Sequence, residues 1–545
     1  MSKTKAVWIG NKANSDDILC PEEKMVWAKQ FTLLGIDFTA DLINMEKNYF
    51  EKIKDIGKLL NSWRYRHLTP YGKIVVIKSL ALSKLSHIAM VVPDLSKTEL
   101  KKLEKICFDF LWSNKSAKVC KVDAVLPEKR GGIGMVDIAT FWKSFKCSWL
   151  RRILNSNDFW PKILGIELKK QNCNLNDLFF SGPSKLLELS KGISNKFWAN
   201  VISNAATLSK EASYSNPECF YLFPIWNNPM FKNGRRVFYN PNLFQQNHKL
   251  LIVADLFSSP GVHMTRAELH RKFNINISPV YLIKIHQAIT SAANDLNFNL
   301  GRAEWHCEPR QSIIIRLAQK QISGCRPFYN VLRARLNERG DNTRSEDKWH
   351  EQLNTVLSID FWNSALRLNS NHKNDNFAKW LQFQLIRNTI FTNDRVSKFK
   401  PNVTEKCELC DLETENALHL FYQCFISQRF WVEIKQYLLQ KFNIYLPVER
   451  LSILFGVLDQ DPSSILNTII LIGKQLIWAC KHGKKRPTLS HFKNSLAEHL
   501  RIVRMCYIFK SQGHIFDDQW GNIHLDLLQQ QDHGNRPLLH DAQGE

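Results

Sequence analysis

Lys406-Cys-Glu-Leu-Cys-Asp-Leu-Glu-Thr-Glu-Asn-Ala-Leu-His-Leu-Phe-Tyr-Gln-Cys-Phe425 carries the pattern Cys-x2-Cys-x8-His-x4-Cys, fixed by Cys407, Cys410, His419 and Cys424. Two cysteines two residues apart can present both thiolates to one cation from a tight turn. His419 and Cys424 follow in an apolar, helix-like run (Ala417, Leu418, Leu420, Phe421, Phe425) from which both side chains can face back toward that turn. Three thiolates and one imidazole make a closed tetrahedral zinc shell, the pattern of a structural rather than a catalytic site. Zinc binding of this kind contributes on the order of 10–16 kcal/mol to a module that could not fold alone. The competing reading is two buried cysteines beside a third and a histidine by coincidence; the spacing of the pairs favours the metal.

The chain around this motif has 545 residues, 44% hydrophobic and 23% charged, which is globular material for several domains. Its formal net charge of +23 points to an anionic partner, with nucleic acid as the default. The bases are spread along the chain rather than gathered in one tail, which favours an extended nucleic-acid track. Apart from the 407–424 group, the cysteines are scattered, as in a protein of a reducing compartment rather than a disulfide scaffold. The N-terminus has no apolar run of signal-peptide length, and runs such as Ile74–Ile77 and Ile469–Ile472 are too short to span a bilayer. The expectation is an intracellular, soluble protein with no membrane partner.

Taken in order, Ala6–Ile9 and Phe31–Phe38 read as two short strands around a polar loop, the second with Gly35 in its middle. Helices follow. Met45, Tyr49, Phe50, Ile53, Ile56, Leu60 and Trp63 recur at helical spacing. Thr69-Pro70 opens a second helix as N-cap and first-turn proline. Ser96-x-x-Glu99 is the capping box of a third. The polar faces of this bundle are rich in bases, and Trp63, Tyr65 and Tyr71 lie among them. Cations for phosphate and aromatic rings for base stacking suit a single strand or a hybrid duplex. The candidate contacts are Trp63, Arg64, Arg66, Lys73, Lys78 and Lys84; taken singly, each is better explained as a solvated or core side chain, and it is the surface as a whole that favours nucleic acid.

Glu128–Gly134 is a tight turn without the Lys-Ser/Thr of a phosphate-binding loop. Phe141–Leu154 reads as one helix, Phe220–Phe257 as aromatic turns and short strands, and 338–348 as a linker. Thr265-x-x-Glu268 caps a helix, and another runs from Pro279 to Ala293. Phe377–Ile390, Phe430–Tyr445, Ser464–Ala479 and Ser490–Phe509 are helical, and the tail from Asp532 is polar. The expected fold is mainly α, with a small N-terminal β-hairpin, a helical bundle, an irregular α+β middle region and a C-terminal zinc-binding helical module. The expected divisions are 1–40, 41–155, 156–400, 401–435, 436–512 and a partly disordered tail at 513–545.

Catalytic constellations are hard to find. A two-metal site needs clustered carboxylates; Asp16-Asp17 has no apolar strand before it, and Asp517-Asp518, which follows Ile515-Phe516, has no third acid in a strand to join it. His306-x-Glu308 with Cys407-x-x-Cys410 faintly echoes a zinc deaminase, but Lys406 stands where that motif has proline, and His419 and Cys424 already complete a shell.

In order along the chain, these stretches resemble the C-terminal half of a non-LTR (LINE-type) retrotransposon reverse transcriptase. Lys3–Gly10 resembles the strand after that family's catalytic aspartates. Phe31-Thr-Leu-Leu-Gly-Ile36 resembles its primer-grip hairpin, which makes Leu34 and Gly35 the primer-grip-like residues. Leu60–Ile74 and Lys78–Leu85 resemble its thumb. Phe110-Leu-Trp112 and Gly131-Gly-Ile-Gly134 fit the next segment, and Pro224–Leu256 its middle region. Cys407–Cys424 with Phe430-Trp431 behind it resembles its zinc motif, and Trp478–Lys493 is also similar. The likeness covers most of the chain and is weakest over 155–215 and 295–375.

The resemblance implies an RNA-directed DNA polymerase that primes on nicked target DNA and copies its own RNA. The family's catalytic aspartates, fingers and endonuclease would precede residue 1, so no catalytic residue is assigned. Magnesium is expected only in a full-length family enzyme, and zinc is expected here. The expected activity is binding of RNA, RNA–DNA hybrid or target DNA without polymerisation by this chain alone, in the nucleus or cytoplasm. The expected associations include a full-length copy of the element's protein, which could supply the palm in trans. The alternative is a zinc-stabilised protein-interaction module with no nucleic-acid role.

Overall fold

The computed structural model describes residues 5–13, 15–16, 26–40, 45–155, 158–240, 250–302, 311–320, 324–334, 343–371, 376–461 and 464–531. Asp17, Cys20, His306, Cys307, Glu308 and the tail from 532 lie outside them. The fold is mainly α, and the strands among the described residues pair only two by two. The chain divides into two compact units. One comprises Met1–Trp63, Val76–Asp109 and Val136–Arg339; the other comprises Arg64–Val75, Phe110–Met135 and Gly340–Glu545. The stretch 156–400 is thus divided near residue 339, and 401–512 falls wholly in the second unit.

In the first unit, Lys5–Ala6 pairs in parallel with Val26–Trp27. The single strand that alternation suggests over Phe31–Phe38 is a hairpin, Gln30–Leu33 against Ile36–Thr39, as the resemblance of Phe31–Ile36 implied. Leu34 (φ +51°) and Gly35 (φ +75°) are both left-handed, which a two-residue turn matching the strand twist requires. Phe31 and Phe38 stack across it at 5.2 Å. Asn48 holds it down, accepting from the Asp37 N–H at 2.7 Å and donating to the Asp37 carbonyl at 2.8 Å. Asn48 belongs to helix Lys47–Trp63, whose buried Tyr49, Ile53, Ile56 and Leu60 form one apolar stripe.

Helix Pro70–Val91 runs 22 residues with mean hydropathy 1.6, long and apolar enough by length and composition to cross a membrane. This corrects the reading of its apolar runs as too short. They join through a π-helical turn at Ile77–Leu82. Its first-unit part buries Ile77, Ala81, Leu82, Leu85, Ile88 and Ala89 and exposes Lys78 and Lys84, the two-faced pattern of a helix packed in a globular core. Its C-terminal carbonyls are satisfied by side chains. Buried Lys146 donates from Nζ to Ala89 O and to Val92 O, and Trp149 Nε1 donates to Met90 O at 2.8 Å.

Phe141–Leu154 is two helices, Ile138–Cys147 and Trp149–Asn155, rather than one. Between them Ser148 Oγ takes the Phe145 carbonyl at 2.6 Å, a side-chain bond that competes with the backbone ladder. The first-unit core gathers around helix Lys196–Ser215 and the aromatic turns, with Phe220, Phe223, Trp226, Phe231 and Phe257 fully buried. Glu268 and Thr265 form the expected reciprocal cap.

In the second unit, the 338–348 linker is corrected from Thr343 onward. Thr343–Leu353 is a helix because Trp349 is buried and donates to the Ile386 carbonyl at 3.1 Å. Residues 335–342 are outside the described set. The tail expected at 513–545 is likewise a helix over Gly513–Gln531, held by buried Phe516, Trp520, Ile523 and Leu527. Glu128–Gly134 is the expected tight turn, with Gly131 and Gly134 left-handed. A Cβ on Gly132 would lie 2.0 Å from the Leu126 carbonyl oxygen. The second core joins helices Asn376–Ile386, Phe425–Phe442, Ile465–His482 and Leu489–Phe509 around Trp431, Phe430, Phe455 and Phe492.

Candidate metal centre

Cys407, Cys410, His419 and Cys424 converge, with one ligand atom from each lying within 4.8 Å of all the others. Cys407 Sγ is 4.0 Å from Cys424 Sγ, and Cys410 Sγ is 3.4 Å from His419 Nε2. A tetrahedron with Zn–S of about 2.3 Å and Zn–N of about 2.0 Å has edges of roughly 3.5–3.8 Å. The donor set therefore fits zinc in both chemistry and size.

The local chain explains the convergence. Cys407–Cys410 is a tight turn closed by the Asp411 N–H on the Cys407 carbonyl at 2.8 Å. It lies next to the bridge pairing Lys406 with Thr414. Backbone N–H groups of Leu409 and Cys410 bond the Cys407 sulfur, and those of Ile426 and Ser427 bond the Cys424 sulfur. Such bonds favour thiolate over thiol.

The other half of the shell depends on a helical irregularity. In an α-helix, residues five apart point about 140° away from each other. Here His419–Gln423 is a π-helical turn, closed by the Cys424 N–H on the His419 carbonyl at 2.7 Å. At roughly 4.4 residues per turn the two side chains come within about 50°. The carbonyls near this distortion find side-chain donors: Ser427 Oγ bonds Leu420 O at 2.7 Å, and Trp431 Nε1 bonds Phe421 O at 2.9 Å. Asn416 Oδ1 accepts from the His419 N–H at 2.7 Å and caps the start.

Cys407, His419 and Cys424 shift one another's proton affinities. A hydrogen bond from Cys407 is the main cause that pushes Cys424 down to about 4, and the same bond pushes Cys407 up. Burial opposes a charge on His419, but its bonds to Cys424 and Cys410 outweigh that and push it up to about 9. A cation entering the shell displaces these protons. On the far side of the ring, His419 Nδ1 lies 3.0 Å from Glu413 Oε2. Nδ1 makes no hydrogen bond, so the contact is an ion-pair approach.

Residues 328–431 match the family model for zinc-binding in reverse transcriptase. The match contains all four candidate ligands and ends at Trp431. It supports a reverse-transcriptase-associated protein, and the four-residue cluster lies inside the zinc-binding region that it defines.

The candidate nucleic-acid residues are placed less uniformly. Trp63 is half-buried, and Lys78 and Lys84 are exposed, all in the first unit. Arg64 and Arg66 are exposed in the second unit, where Arg64 donates to Asn114 Oδ1 at 3.0 Å. Lys73 is corrected: it is buried, its Nζ donates to Leu111 O at 3.4 Å and to Ser113 Oγ, and burial pushes its pKa down. Tyr71 is corrected in the same way. It is buried edge-on to Trp380 and Phe383, so it packs in the interior rather than offering a stacking face. Tyr65 is 88% exposed. Leu34 stands at the hairpin tip, 81% exposed, with its carbonyl 3.2 Å from His87 Nε2.

Sequence reasoning missed Glu415, Lys481 and Asn393, which surround the metal turn. Glu415 could have been flagged as an acid within the motif, but nothing in the sequence pairs it with Lys481.

Proposed function

We propose that this chain is the C-terminal part of a non-LTR retrotransposon reverse transcriptase that binds nucleic acid and does not polymerise alone. Cys407, Cys410, His419 and Cys424 hold one structural zinc. The observation that carries this reading is the four-ligand cluster inside the matched region. Among the described residues, this cluster is the one group of three or more potential ligands close enough to hold a metal ion. Exposed Arg64, Arg66, Lys78 and Lys84, with Trp63 and the Leu34–Gly35 tip, are the proposed contacts to RNA, RNA–DNA hybrid or target DNA. The proposed setting is nuclear or cytoplasmic.

A zinc-stabilised protein-interaction module is the second reading. It is favoured by exposed Ile502, Met505, Ile508 and Phe509 along one helix. Elemental analysis with a salt series of hybrid binding separates the two. Nucleic-acid binding predicts one zinc per chain and a loss of about 0.7–0.9 log units of affinity per log unit of salt for each phosphate contacted. One zinc with weak, salt-insensitive binding would favour the interaction module.

A further inference from the structure

Glu415 is fully buried, and its carboxylate takes three donors. Lys481 Nζ reaches Oε1 at 2.7 Å, the Asn393 N–H reaches Oε1 at 3.0 Å, and the Glu408 N–H reaches Oε2 at 3.1 Å. Glu408 directly follows the ligand Cys407. Its peptide N–H is therefore tied to a carboxylate that is itself anchored on helix Ile465–His482. Lys481 is also buried, and it spends a second donor on the Phe391 carbonyl at 3.2 Å. Asn393 adds a side-chain bond to the Lys406 carbonyl at 2.8 Å, one residue before Cys407. The backbone on both sides of the first ligand is thus held from outside the ligand shell.

We propose that Glu415, charge-paired with Lys481, is a positioning residue of the metal site. It sets the Cys407–Glu408 peptide so that the Leu409 and Cys410 N–H groups meet the Cys407 sulfur before the cation arrives. This rests on the zinc reading above. A buried carboxylate satisfied by two backbone N–H groups and an ammonium is costly to dismantle. Partners outside the ligand shell that orient ligands typically change metal affinity by roughly 10–100-fold.

The test compares the full chain with Glu415→Gln, Lys481→Met and the double variant. Zinc affinity is read by chelator competition, geometry by the cobalt(II) absorption spectrum, and peptide order by exchange of the Glu408 amide. Glu415→Gln is expected to keep one metal and the tetrahedral cobalt bands, to lose about 10–100-fold in zinc affinity, and to exchange the Glu408 amide faster. The double variant, relieved of its unpaired lysine, is expected to stay weakened. Parent-like affinity in Glu415→Gln, or recovery in the double variant, overturns the proposal and leaves zinc binding intact. Should Glu415→Gln not fold, Glu415→Asp keeps the charge but draws it back from Glu408, and parent-like affinity there is equally fatal. A parent chain that takes up no zinc removes both readings.

Discussion

Trp431 and Gly473 compete for one volume: a Cβ on Gly473 would lie 2.4 Å from Trp431 Cη2. The indole is fully buried and fixed by its bond to the Phe421 carbonyl. It cannot step aside without releasing the carbonyl near the π-helical turn that carries His419. Gly473→Ala is therefore expected to destabilise the chain by about 1–3 kcal/mol through overpacking. Thermal unfolding checks it, and a parent-like midpoint would mean that the two helices separate more easily than this contact implies.

Lys474 is buried beside that glycine and bonds Gln382 Oε1 at 2.5 Å and Leu454 O at 3.2 Å. Burial pushes its pKa down to about 7. The unfolded chain holds this proton up to the ordinary lysine range near 10.4, so between about pH 7 and 10 it binds more protons than the folded chain. Stability from this group is present above that window and lost as pH falls through about 7. Its slope within the window is at most about 1.4 kcal/mol per pH unit. In denaturant titrations from pH 7 to 9, Lys474→Met is expected to lack this rise. Parallel curves for parent and variant would show that the lysine stays charged.

Metal removal is expected to act on the second unit first. Cys407, Cys424 and the buried residues around them belong to its core. Chelation should raise amide exchange across helix Phe425–Phe442 while helix Lys196–Ser215 of the first unit keeps its protection. Cys410→Ser should reproduce the effect without chelator. Full zinc retention by that variant would remove Cys410 from the shell.

The basic residues are expected to fall into two classes. Lys78→Ala and Lys84→Ala should each reduce the salt slope of hybrid binding by about 0.7–0.9, and Lys84→Ala should leave unfolding unchanged. Lys73→Ala should cost about 1–3 kcal/mol of stability, because the Leu111 carbonyl and Ser113 hydroxyl lose a buried donor. The slope should not change. A lower slope with unchanged stability for Lys73→Ala would place that ammonium on phosphate after all.

Local features were legible in the sequence because they depend on neighbours in the chain. The Ser96 hydroxyl does accept from the Glu99 N–H at 3.3 Å, and Thr69 Oγ1 accepts from the Gly72 N–H at 3.4 Å. The ligand set was legible for the same reason, since a Cys-x2-Cys turn carries its own geometry. Lys73 and Tyr71 were misread because helical periodicity marks a face without saying what covers it. Alternation alone read Phe31–Phe38 as one strand, since it does not show where a strand reverses; the hairpin at Leu34–Gly35 was legible only through the resemblance.

By itself, then, the sequence determined which side chains could make a tetrahedral shell, where several helices start and that the protein is mainly helical. The tertiary structure alone decided that His419 and Cys424 share a face, through a π-helical turn whose neighbouring carbonyls are taken by Ser427 and Trp431. It alone decided that Glu415 meets Lys481 across 66 positions of chain. Bonds between near neighbours are set by local stereochemistry, whereas a buried charge finds its partner only when packing excludes water from both.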